Sequence, residues 1–168
     1  MTIVRVGLRG AGKSSVGRRL ASRLGRPFVD ADAEIEAEAG QSISEIFASH
    51  GEAHFRRLER QVIGRLLAER GQILATGGGA FMDLETRAVI AGGAVSVWLR
   101  AEIDVLLERV MRRDNRPLLK QGDPRKILAG LIEERYPVYA EADITVDSTD
   151  GPHTVVVGEI IKALEEVQ

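Results

Sequence analysis

Gly7-Leu8-Arg9-Gly10-Ala11-Gly12-Lys13-Ser14 lies between a β-type run, Ile3–Leu8, and a helix-type stretch, Lys13–Leu24. The octapeptide fits G-x-x-x-x-G-K-[ST]. Glycines let the backbone wrap an anion and turn its N–H groups inward. Lys13 places a cation on the β- and γ-phosphates, and Ser14 offers a hydroxyl to Mg²⁺. The helix that starts here adds its positive end to the same site. The stretch therefore predicts a nucleoside triphosphate with Mg²⁺, held between the first strand and first helix of an α/β domain. It leaves the reaction open.

Outward from that loop, strand-type and helix-type segments alternate. Arg26-Pro27 opens a short run through Phe28 and Val29 to Asp30, and Ala31–Ala39 and Ile43–Ala48 read as helices. Glu52–Arg70 has a helical period, with Phe55, Leu58, Val62 and Leu66 three and four apart. Gln72–Ala75 is a strand leading into Thr76-Gly77-Gly78-Gly79, and Asp83 caps a helix through Ala91. Ala94–Leu99 is a strand, and a helix follows from Glu102 to Arg112. Asp123-Pro124 caps and starts a helix that reaches Tyr136, where Pro137 blocks continuation. Ile144–Asp147 is the last strand and Thr154–Val167 the last helix. The alternation predicts a three-layer α/β/α sandwich. It has a five-stranded parallel sheet, right-handed crossovers, and ligands at the carboxyl ends of the strands.

The 168 residues and 18.3 kDa support one domain, spanning 1–168. There is no Cys, which excludes disulfides, thiolate zinc sites and Cys nucleophiles. Net charge is −2, so no global basic surface for nucleic acid and no polybasic membrane anchor is expected. No apolar run approaches a membrane span, and the first strand begins at Ile3, so the chain reads as cytosolic. Of 23 basic residues 19 are Arg, the side chain suited to two-pronged recognition of carboxylate and phosphate. Gln72–Ala75 ends in Thr76 and three glycines, where larger phosphate-loop ATPases carry a metal-binding Asp. The class narrows to a small-metabolite or nucleotide kinase.

Four further patterns lie on the acceptor side. Val29-Asp30-Ala31-Asp32 ends the second strand. If the segment stays extended, both carboxylates face one pocket; the alternative is a helix cap plus a surface acid. Arg56 and Glu59 share a helix face, either as an exposed ion pair or as a carboxylate-binding Arg held by Glu59. The triple glycine allows close backbone approach. Arg116-Pro117-Leu118-Leu119 lies in an irregular stretch, and Val105–Lys126 carries seven basic against three acidic side chains. That local excess predicts a mobile lid over phosphates, at about 112–123.

Taken together, these residues resemble the shikimate kinases. The resemblance rests on the phosphate loop, the D-x-D pair and G-x-x-x-F-R-x-x-E (Gly51, Phe55, Arg56, Glu59). It also rests on the triple glycine, R-P-L-L and R-x-P-x-Y (Arg135, Pro137, Tyr139). It implies a P-loop kinase fold with an acceptor-binding segment at about 31–60. It also implies ATP-dependent phosphorylation of the shikimate 3-hydroxyl, on the way to chorismate. By that resemblance Gly10, Ala11, Gly12, Lys13, Ser14 and Ser15 hold ATP, with Arg109 and Pro152 at adenine. Ser14, and Asp30 through water, bind Mg²⁺. Asp32 binds and helps deprotonate the acceptor, Arg56 and Arg135 grip its carboxylate, and Gly77, Gly78 and Gly79 form its wall. Arg116 swings in with the lid, so that Lys13, Asp32 and Arg116 are the catalytic set. ATP and shikimate are the expected partners of a monomer. A gluconate- or nucleotide-kinase relative, and a binding module without turnover, are the competing readings.

Overall fold

The structure is a computed structural model that describes residues 1–8, 13–69, 71–111, 122–149 and 151–167. Strands β1 (Thr2–Val6), β2 (Phe28–Asp30), β3 (Ile73–Ala75), β4 (Ala94–Arg100) and β5 (Ile144–Asp147) form one sheet, ordered β2-β3-β1-β4-β5. Every pairing is parallel, with Ile3 opposite Ile73 on one side of β1 and Val95 on the other. Buried parallel strands read as near-continuous apolar runs, as Ile73–Ala75 does. The chain leaves β1 in one direction across the sheet and later returns in the other. Right-handed crossovers then place α1 (Lys13–Leu24) on one face and the next helices on the opposite face. The reversal occurs beside β1, which opens a crevice at its carboxyl end.

Helix α2 (Ala31–Ala39) follows β2 with no intervening loop. The helix begins at Ala31 as expected, and of the two placements open to the Asp30 and Asp32 carboxylates the helix cap holds. Asp30 ends the strand and caps the helix, its Oδ1 accepting the Asp32 and Ala33 amides at 2.9 and 3.4 Å. Asp32 stands in the first helical turn. Two free N–H groups at a helix start and a carboxylate one residue before it are a stronger local preference than continued extension.

The two expected helices at 43–48 and 52–70 are halves of α3 (Ile43–Ala68), divided at Gly51. Gly51 has φ 83° and ψ 173°, which a side chain resists, and it redirects the second half so that Phe55 and Glu59 face inward. A short 3₁₀ turn, Ala80–Met82, precedes α4 (Leu84–Gly93), which outlasts its expected end at Ala91. Helix α5 is Ile103–Met111, α6 is Pro124–Tyr139 and α7 is His153–Glu166.

Pro137 does not end α6. A proline in the last turn forfeits one N–H bond but leaves the later ones available. Ala140 N–H reaches the Tyr136 carbonyl at 2.9 Å. Tyr136 and Tyr139 pin the turn through hydroxyl bonds to the Ala101 and Gly78 carbonyl oxygens. Their rings pack with Trp98, Tyr136 edge-on at 4.9 Å. No helix among the described residues is long and apolar enough to cross a membrane.

Central strand β1 also buries a charge. Arg5 is 0% exposed, wedged under α1 against Gly17 and Phe28. A Cβ on Gly17 would overlap the guanidinium and stand 2.6 Å from the Phe28 ring. None of the three Arg5 guanidinium nitrogens has a hydrogen-bond partner among the described residues. Burial pushes this guanidinium down from its ordinary value to about 9. The unfolded chain therefore holds the proton more tightly, and the penalty on folding is complete below about pH 9 and fades as pH rises above it. Arg5→Leu should raise Tm at pH 7 by roughly 5 °C, the equivalent of about 2 kcal/mol in a chain this size. In calorimetry the gap between variant and wild type should narrow above pH 9; a variant less stable than wild type at pH 7 contradicts this account.

Candidate active site

At the carboxyl end of β3 the chain passes through Gly77-Gly78-Gly79, and three helices press a side chain onto it. A Cβ on Gly77 would lie 3.1 and 3.3 Å from the two carboxylate oxygens of Asp32, on α2. One on Gly78 would lie 2.9 Å from Nη1 of Arg135, on α6, and 3.6 Å from the Gly7 carbonyl oxygen. One on Gly79 would lie 2.9 Å from Cζ of Arg56, on α3, and overlap its guanidinium. The three glycines are there for room: each leaves space for one charged side chain from a different helix. Residues scattered from position 32 to 135 become one wall, with a carboxylate at one end and two guanidiniums at the other.

Arg56 is fixed from behind. Its Nη1 donates to Glu59 Oε1 at 2.7 Å, and the Glu59 side chain is 2% exposed. The pair is thus the buried arrangement and not the exposed one. Burial pushes the Glu59 carboxyl above its ordinary range; Arg56 pulls it back, while the Asp32 and Asp83 carboxylates push it further up. Glu52 stands 3.8 Å from Arg56 Nε but is mostly exposed, where an ion pair contributes little.

A second link ties α3 to the turn after the glycines. Asp83 Oδ2 accepts the Thr86 amide and hydroxyl at 3.0 and 2.8 Å, which caps α4. The same oxygen accepts Arg60 Nε at 3.2 Å and Nη2 at 3.1 Å. Arg60 is one turn beyond Arg56, so this clamp sets the distance between the Arg56 helix and the glycine wall. Sequence reading recognised Asp83 as a cap and missed the clamp; the four-residue spacing of Arg56 and Arg60 was its trace. It named Tyr139 within the R-x-P-x-Y pattern but gave it no role; its buried hydroxyl meets the Gly78 carbonyl oxygen. Burial also pushes the Tyr139 phenol above its ordinary range.

On the nucleotide side, Lys13 and Ser14 open α1 and Ser15 is exposed. Arg109 donates to Ser148 Oγ at 3.2 Å and to the Thr149 carbonyl oxygen at 2.6 Å. Pro152 stands at the N-cap of α7. Burial lowers the His153 imidazole pKa, and the Arg109 and Arg19 charges add to that. Arg109 and the turn holding Pro152 are therefore brought together. Gly10, Ala11, Gly12 and Arg116, with positions 112–121 of the expected lid, lie outside the described residues.

A phosphate-loop sequence between β1 and α1, with acidic and basic side chains gathered over β3, defines the small α/β phosphotransferase class. Residues 9–165 match the family profile described as shikimate kinase. A shikimate kinase of Caulobacter vibrioides (strain NA1000 / CB15N) is 60% identical over 165 residues, 98% of this chain and 82% of its own length. One of Paramagnetospirillum magneticum is 64% identical over 149 residues, 89% and 76% of the two chains. The solved shikimate kinase from Acinetobacter baumannii in complex with shikimate is 36% identical. It superimposes with a TM-score of 0.91 over 99% of this chain and 94% of that one. The chain belongs to the shikimate kinase family.

Burial alone would raise the Asp83 carboxyl, but the Thr86 hydroxyl and amide and Arg60 hold it below its ordinary range. Its stabilising contribution is therefore present above the ordinary carboxylate range and lost as pH falls through the folded value. Asp83→Ala should lower Tm at pH 7 by roughly 4–8 °C, from about 2 kcal/mol of lost capping and pairing. Thermal melts against pH should have the two proteins converging in acid; a gap that persists there assigns the loss to packing.

Proposed function

We propose that this protein transfers the γ-phosphoryl group of ATP to the 3-hydroxyl of shikimate, giving shikimate 3-phosphate and ADP on the way to chorismate. One observation carries the reading: Arg56 and Arg135 converge on Gly79 and Gly78 while Asp32 lies over Gly77. Two guanidiniums suit an acceptor carboxylate, and a carboxylate at the far end suits its hydroxyl. Arg135 Nε is a buried donor without a hydrogen-bond partner among the described residues, and a ligand carboxylate would satisfy it.

Phosphoryl transfer asks a protein mainly to align reactants and neutralise charge. Asp32 orients the 3-hydroxyl in line with the γ-phosphorus and takes its proton as the new bond forms. Lys13 and the amides of Gly10, Ala11, Gly12, Ser14 and Ser15 cradle the phosphates. Arg116 adds positive charge as the lid at about 112–123 closes and excludes water. Arg109 and Pro152 flank adenine. The donor set fits Mg²⁺, a hard cation served by oxygen ligands. Ser14 brings a hydroxyl, and the Asp30 cap uses one carboxylate oxygen, which leaves the other for a water-mediated contact. When bound, Mg²⁺ neutralises phosphate charge. The chain is one kinase domain over 1–168 with its acceptor-binding segment at about 31–60. A cytoplasmic monomer is the form this reading implies.

A coupled ADP-release assay should give turnover with shikimate well above that with gluconate or nucleoside monophosphates. Faster turnover with gluconate replaces the acceptor assignment, and binding without turnover makes the protein a sensor. Asp32→Asn should lose at least about a hundredfold in kcat while ATP still binds. Arg56→Ala should raise the shikimate KM about tenfold or more with ATP affinity unchanged. A fall in ATP affinity moves Arg56 to the nucleotide side.

A further inference from the structure

The carbonyl groups of the glycine wall are not all held alike. Gly77 O accepts the Ala80 amide at 3.2 Å, and Gly79 O accepts the Met82 amide at 3.1 Å. Both bonds are local backbone bonds of the turn itself. Gly78 O accepts the hydroxyl of Tyr139, sixty-one residues away on the last turn of α6. The middle peptide of the wall therefore takes its orientation from a side chain. In a trans peptide the C=O and the following N–H point to opposite sides of the chain. Fixing the Gly78 carbonyl thus also fixes where the Gly79 N–H points.

The Arg135 guanidinium stands on the same glycine: a Cβ on Gly78 would lie 2.9 Å from Arg135 Nη1 and 3.8 Å from the Tyr139 hydroxyl oxygen. Arg135 and Tyr139 are four apart and share a helix face. Tyr139 is fully buried, its ring among those of Phe81, Trp98 and Tyr136 at centroid distances of 6.5, 5.8 and 6.3 Å. Phenylalanine would fill that space without the cost of burying a hydroxyl. What the hydroxyl adds is the bond to the Gly78 carbonyl oxygen, beside Arg135.

We propose that Tyr139 is a positioning residue for the acceptor. Its hydroxyl sets the Gly78–Gly79 peptide beside the Arg135 guanidinium, so that backbone and side chain meet the acceptor together. This rests on the acceptor reading given above. It also assigns a purpose to the helical turn that continues past Pro137, since that turn delivers Tyr139 to the wall.

Tyr136 is a built-in control. Its hydroxyl also donates to a backbone carbonyl, that of Ala101, from the same helix, but away from the glycines. Tyr139→Phe should raise the shikimate KM about fivefold to twentyfold, with kcat within threefold and the ATP KM within twofold of wild type. Tyr136→Phe should leave all three within twofold. A Tyr139→Phe KM within twofold of wild type overturns the proposal, and so does an equal rise in both variants, which marks a general loosening of α6.

A second readout does not depend on Tyr139→Phe folding. The chain has two tyrosines, so 3-fluorotyrosine in the Tyr136→Phe protein leaves one fluorine reporter, at position 139. Its resonance should shift when shikimate is added and stay in place with ADP alone; no shift at saturating shikimate contradicts the proposal. Wild-type protein that turns over no shikimate fails the acceptor reading itself, whereas wild-type turnover with an unaltered Tyr139→Phe fails the positioning role alone.

Discussion

The backbone of Gly77–Gly79 has no room for side chains, and the site depends on that. Arg135 and Arg56, from α6 and α3, occupy space that a Cβ on Gly78 and Gly79 would otherwise take, and Asp32, from α2, stands 3.1 Å from where one on Gly77 would lie. A parallel sheet brings strand ends to one edge, but it does not bring helices from different crossovers within reach of one peptide segment. Close approach does, and glycine permits it without backbone distortion. The positions of three helices relative to the sheet edge are therefore recorded in three consecutive residues.

Charge inside this protein is handled in two opposite ways. At the wall, the buried Glu59 holds the partly buried Arg56, and Asp83 gathers Arg60 and the start of α4 on one oxygen. These pairs cost desolvation but fix geometry, and a phosphotransferase gains more from fixed geometry than from extra stability. Under α1, Arg5 is buried with no hydrogen-bond partner among the described residues. It is the clearest internal conflict in the described core. The β-type run around it reads as apolar because its neighbours are, and the strand tolerates one misfit because pairing on both sides of β1 and packing under α1 hold it in place.

Much of the architecture was legible because its signals are local. Asp83, Asp123 with Pro124, and the glycines and prolines between segments marked element ends within a few residues. Strand and helix alternation then implied the parallel sheet. Val29–Asp32 left two placements open for its carboxylates, and Asp30, by satisfying free amides at a helix start, decided for the cap. One local signal misled for a physical reason. Pro137 suggested a stop, but in a final turn it forfeits one bond while two buried tyrosines hold the turn. For Arg56 and Glu59, spacing gave the shared face, and burial, which comes from neighbouring elements, decided that the pair is internal.

By itself the sequence determined the kind of chemistry. The phosphate loop, the carboxylates at 30 and 32, the arginines at 56 and 135 and the glycine run are choices of functional group, and functional groups are written residue by residue. Only the tertiary structure decided which groups face one another. That Asp32 meets Gly77, Arg135 meets Gly78 and Arg56 meets Gly79 depends on how three crossovers return to one sheet edge. That a tyrosine hydroxyl holds the middle peptide depends on a contact sixty-one residues long. Such contacts form only when packing places two distant segments together, and no pattern within either segment encodes the distance between them.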